Sequence, residues 1–114
     1  MKKFYLFALL FTMVNAVQAK SVEKMTVEAK CGVFRDAALL YLDNYFKGQS
    51  REQQYDFVEE NTRDKVTIVF NKKLIDTVYD YIPFTMVDSE RKAYKEAHSS
   101  MVFDKCMRTY NNSK

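Results

Sequence analysis

Two cysteines, Cys31 and Cys106, stand 75 positions apart, and they are the chain's only two. In an oxidising compartment two cysteines admit a single intramolecular pairing, and so long a bridge dictates that the first and last elements of the fold meet. On the chain-entropy account, closing that loop restrains the unfolded chain by about 4 kcal/mol, a large part of the stability of a small domain. Neither cysteine belongs to a C-x-x-C motif, and no charged cluster specific to either one would depress its thiol pKa. A structural disulfide between Cys31 and Cys106 is therefore the expectation.

The compartment is read from the N-terminus. Lys2 and Lys3 form a positive start, the apolar run Phe4 to Val14 follows, and Val17-Gln18-Ala19 places small residues where signal peptidase requires them. Cleavage is expected after Ala19, leaving a signal peptide at 1–19 and a mature domain at 20–114. A membrane-spanning helix needs about 20 apolar residues, and Asn15 and Gln18 interrupt this run, so no stable anchoring is expected after processing. A lipid-anchored form would carry a cysteine directly after the cleavage point, whereas the first is Cys31. The expected location is the periplasm or the exterior.

Cleavage also changes the charge. It removes two of the 18 Lys and Arg, leaving 16 against 15 Asp and Glu and a net charge of +1. A balanced, interspersed surface lacks the basic face that nucleic acid requires, so no nucleic-acid partner is expected.

Helical periodicity runs through the mature chain. Val27, Cys31, Phe34, Ala38, Tyr41 and Tyr45 recur at spacings of four and three, with Leu42 and Phe46 widening the stripe, which predicts a helix from about Ser21 to Lys47 stopped by Gly48. Ser50 and Gln53 form a capping box for a short second helix with Tyr55 and Val58 inward. Between Thr62 and Ile82 the stretch Val66 to Phe70 is β-branched enough for a strand. Phe70, Leu74, Val78 and Ile82 nevertheless step by four with no breaker before Pro83, and the segment reads as one helix. Asp88 or Ser89 is expected to cap a last helix through about Tyr110, with Tyr94, Ala97, Met101, Phe103 and Cys106 on its apolar side and a fraying tail after it.

The fold class that follows is all-α, a small four-helix bundle whose first and last helices are joined by the disulfide and pack antiparallel. The order of an early Cys31, an Ala-rich helix, a polar stretch, Leu74-Ile75-Asp76-x-Val78-Tyr79-x-x-x-Pro83, Phe103 and a closing Cys106 resembles a widespread group of small exported proteins of Gram-negative bacteria and their phages. That group usually has a basic, Gly-containing stretch after the first helix, to which only Lys47-Gly48 answers here. The resemblance implies export, a helical fold and a disulfide, and it implies no site.

Catalysis has little to stand on. The single histidine, His98, lies between Ala97 and Ser99 in the predicted last helix, where adjacency along one helix does not build a nucleophile–base pair, and it is expected to be exposed. With both cysteines in the bridge, a transition-metal site lacks ligands, and no cofactor is expected. Eight Tyr and nine Phe against no Trp are many aromatics for this length. Most belong to the core, but Tyr81, Phe84 and Met86 crowd the loop after the third helix, where they form either a partner surface or a cover folded back on the bundle. The reading is a non-enzymatic interaction protein that binds another protein, in the sharper form an inhibitor or immunity-type protein. An envelope stress chaperone or structural factor is the alternative. A carrier of a small apolar ligand comes third and requires a cavity between helices.

Overall fold

The computed structural model describes residues 26–112. The expected cleavage after Ala19 and the last two residues lie outside the described residues. Four helices follow one another: α1 (Val27–Phe46), α2 (Arg51–Asn61), α3 (Lys65–Tyr81) and α4 (Asp88–Asn112), with no strand among the described residues.

Each helix starts where orphan N–H donors find an acceptor. Thr26 is extended and its Oγ1 accepts from the Ala29 N–H at 3.1 Å, so α1 begins at Val27 rather than near Ser21. It ends in a Schellman turn: the Gly48 N–H donates to the Tyr45 carbonyl at 3.0 Å and the Gln49 N–H to the Asn44 carbonyl at 3.1 Å, with Gly48 at φ 94°. The capping box at Ser50 and Gln53 is present in both directions, at 3.1 Å and 2.8 Å.

Asp64, not Thr62, opens α3; its carboxylate accepts from the Thr67 N–H at 2.9 Å and from the Thr67 hydroxyl at 2.6 Å. Those two bonds, the hydroxyl's first, hold the Asp64 carboxyl below the usual carboxylate range. The β-branched Val66 to Phe70 is helical, as the four-residue step beyond it requires. Two boundaries of α4 differ from expectation. Asp88 lies inside its first turn rather than at the cap, because Thr85 organises the preceding loop by accepting from the Val87 N–H at 3.1 Å and donating to Glu90 at 2.6 Å. With no Gly or Pro to stop it, the helix then continues through Asn112 instead of ending near Tyr110.

The chain runs up, down, up, down. Cys31 and Cys106 are joined with Cα atoms 5.5 Å apart at one end of the α1–α4 pair, and Phe46 meets Tyr94 at the other, ring centroids 6.4 Å apart, so these helices are antiparallel. Asp43 fastens them further by accepting from Lys95 at 2.7 Å. Hydrogen bonds from Lys95 and then Lys47 keep its carboxyl below the ordinary range. α3 runs parallel to α1, with Phe34 against Phe70 and Tyr45 against Tyr79 at 4.6 and 4.8 Å between centroids. α2 lies antiparallel on α3 through Arg51 to Asp76 and Asp80, and Glu59 to Lys72.

The core is Tyr41, Leu42, Phe46, Val58, Ile75 and Val78. Burying each aliphatic member contributes about 1.5–3 kcal/mol. Gln54 is buried among them, its Nε2 donating to the Tyr41 carbonyl at 3.0 Å and to the Tyr79 hydroxyl at 2.8 Å, and its Oε1 accepting from Asn44 at 3.3 Å. One seam of the bundle is not closed. α4 packs on α1, and α3 packs on α1 and α2, but α3 and α4 share no comparable interface.

Candidate functional site

The loop between α3 and α4 holds the three residues singled out by sequence. Tyr81 and Met86 are 80% and 74% exposed, and Phe84 is 50% exposed. The loop backbone is tied down: the Tyr45 hydroxyl donates to the Ile82 carbonyl and Arg91 Nε to the Thr85 carbonyl, both at 2.6 Å. Phe84 and Tyr45 pack perpendicular to each other at 5.6 Å between centroids, and the Arg91 guanidinium lies over the Phe84 ring at 5.7 Å. Phe84 thus splits the two alternatives, one face on the bundle and one in solvent. Full burial of a Phe makes its truncation to Ala cost about 3–5 kcal/mol, so Phe84→Ala should destabilise by about 2 kcal/mol in chemical denaturation. A shift under about 0.5 kcal/mol would detach the ring from the aromatic cluster.

The more developed feature lies where α3 and α4 separate, toward the end of the domain away from that loop. Between Val66–Thr77 of α3 and His98–Tyr110 of α4 is a groove of about 570 Å³. Phe34 of α1 lines it beneath, its ring tilted against that of Phe70. Val66, Phe70 and Leu74 supply one wall, and Met101 and Val102 the other. Val66, Phe70 and Met101 are 77%, 37% and 48% exposed, an amount of apolar surface that a closed bundle would have covered.

Most polar atoms in the groove are already engaged. The Thr67 hydroxyl serves Asp64, Asn71 accepts from the Tyr41 hydroxyl at 2.5 Å, and the Thr77 and Thr109 hydroxyls donate to carbonyls one turn back at 2.9 and 2.8 Å. Three groups are not engaged in this way. Lys73 on the α3 wall and Lys105 on the α4 wall make no ion pair among the described residues, and no carboxylate lines the groove. The third is His98, only 6% exposed, whose Nε2 is buried without a hydrogen-bond partner among the described residues.

His98 corrects the expectation of an exposed histidine. The inward side of α4 follows Tyr94, His98, Val102 and Cys106 in steps of four, whereas Ala97 and Met101, expected inward, are exposed. The available signal was that step, which passes through a polar residue.

Burial holds the His98 imidazole below its usual range. The unfolded chain takes up a proton near pH 6.5 that the folded domain refuses, so the His98 contribution to stability is complete above that value and falls as pH drops toward the lower folded pKa. The denaturation midpoint should therefore decrease from pH 7.5 to pH 5.5, and His98→Gln should flatten that dependence. The same slope in both proteins would assign it to another group.

No helix of the described residues is long and apolar enough to cross a membrane, and no group of three His, Cys, Asp or Glu among them is placed to hold a metal. No family model, curated protein or solved structure matches the chain. The functional reading therefore rests on the groove and the loop themselves.

Proposed function

We propose that this chain is an exported, non-enzymatic interaction protein that binds another protein in the α3–α4 groove. The observation that carries the reading is the open seam: apolar residues stay exposed along two helix walls over an aromatic floor, in a domain otherwise closed by a disulfide. Export draws its support from the signal-like N-terminus and the disulfide, and the resemblance to small exported proteins of Gram-negative bacteria and phages agrees with it. Within this class an inhibitor or immunity-type role suits a small rigid domain that offers one preformed apolar groove.

The test is capture by the mature, oxidised protein from an envelope extract, run beside Met101→Asp. Met101 is half exposed, so the substitution leaves the fold intact, which a thermal melt checks, while placing a charge in the groove. One stoichiometric protein retained by the native chain and lost by Met101→Asp supports the reading. Equal retention by both overturns it. Many substoichiometric clients would point instead to the envelope chaperone.

A further inference from the structure

We infer that the occupant of the groove is an amphipathic helix of the partner protein, about three turns long, with acidic residues bordering its apolar stripe. This rests on the reading of the groove as the binding site. The walls from Val66 to Thr77 and from His98 to Tyr110 each extend about 17–18 Å at 1.5 Å per residue, the length of a three-turn helix.

Backbone chemistry separates a helix from a strand. Both walls are helices whose main-chain groups are spent internally, and the described residues contain no sheet edge. An extended segment would lay unpaired N–H and C=O groups over apolar surface, whereas a helix arrives with its own already paired. Exposure separates a helix from a small amphiphile. Val66 and Met101 stand far into solvent, while a pocket for a small molecule buries about 70–90% of its ligand.

Charge sets the flanks. Lys73 and Lys105 face the occupant from opposite walls with no acidic residue lining the groove among the described residues, so carboxylates on both edges of a docked helix pair with the two ammonium groups. The same charges disfavour the chain's own apolar run Phe4–Val14, which follows Lys2 and Lys3 and contains no acid. The acidic helix α2 of a second copy fits poorly as well, since it exposes a single large apolar side chain, Phe57, where a docked helix needs several in register. Helix α1 exposes Val33, Leu39 and Leu40, so a dimer of the free protein seated through α1 would overturn the inference.

The experiment is selection of random displayed peptides of about 15 residues, enough for four turns, against the mature oxidised protein, with counter-selection on Met101→Asp. Enriched peptides should repeat apolar residues at helical spacing between Asp and Glu, and gain helical circular dichroism on binding. They should shift the amide resonances of Val66, Phe70 and Met101, and bind Lys73→Glu/Lys105→Glu about tenfold or more weakly at low salt. Enriched peptides that are extended or basic-flanked, or binding unchanged by the double charge reversal, would overturn the inference. So would sodium palmitate shifting the same amides at one-to-one stoichiometry while no helical peptide is enriched. If no helical peptide is enriched but Met101→Asp still releases the captured protein, only the helix assignment falls. If Met101→Asp releases nothing, the groove reading falls with it.

Discussion

Replacing Cys31 and Cys106 together by Ser should lower the unfolding free energy by about 2–5 kcal/mol, measured by urea denaturation at neutral pH. Loop closure over 75 positions sets the scale, at about 4 kcal/mol on the chain-entropy account. The place of the bridge determines what is lost structurally. Beyond the disulfide, the α1–α4 interface is the most extensive in the domain and includes Tyr94 against Phe46, Lys95 donating to Asp43, and the Arg35 guanidinium 5.3 Å above the Phe103 ring. Two of these are partly exposed charge contacts that contribute little individually, and α3 gives α4 no comparable support. Without the bridge, the end of α4 that walls the groove loses its covalent tether to α1. Amides from Met101 to Tyr110 should then exchange faster with solvent than those from Tyr94 to His98. A reduced protein of unchanged stability would show that helix packing alone holds α4 in place.

The same dependence explains which parts of the architecture could be read from the chain. Signals confined to a few neighbouring residues were legible: the stripe from Val27 to Tyr45, the Ser50–Gln53 box and the stop at Gly48 each depend on contacts within one or two turns. The cysteines supplied one long-range contact, and with it the antiparallel α1–α4 pair. The open seam between α3 and α4 was not legible. It depends on how far two helices diverge, and Val66, Phe70 and Met101 are as apolar in a groove as they would be in a core. Apolarity also misassigned the inward side of α4, where Ala97 and Met101 face solvent and His98 is buried. The loop was legible as a concentration of large side chains at Tyr81, Phe84 and Met86, but its orientation depends on Arg91 and Tyr45 reaching it from other elements. Gln54 escaped for a related reason, because a polar residue beside the inward Tyr55 and Val58 gives no periodic signal until its partners from α1 and α3 are in place.

Gln54→Ala should destabilise the domain by about 3 kcal/mol, more than a surface glutamine ever contributes. The residue is 1% exposed and joins three helices: its amide nitrogen donates to the Tyr41 carbonyl of α1 and to the Tyr79 hydroxyl of α3, while its oxygen accepts from Asn44. The hydrogen bonds to the Tyr41 carbonyl and the Tyr79 hydroxyl account for about 2 kcal/mol net. The lost methylenes and the resulting void add about 1 kcal/mol or more. Part of the network survives, because the Tyr79 hydroxyl still donates to the Gln49 carbonyl at 2.6 Å, which keeps the cost below that of stranding a donor. Gln54→Glu separates bonding from packing, since it preserves the shape but turns an oxygen toward the Tyr41 carbonyl. A carboxyl there must be protonated to donate, so its folded pKa rises above the unfolded value of about 4.3. Its stabilising contribution is then present below that pH and is lost as pH rises through the folded pKa. Gln54→Glu should therefore approach native stability near pH 4 and fall below Gln54→Ala near pH 8, where an unpaired buried charge outweighs a cavity. Parallel pH profiles for the two variants would show that Gln54 acts by filling space and that its hydrogen bonds hold nothing together.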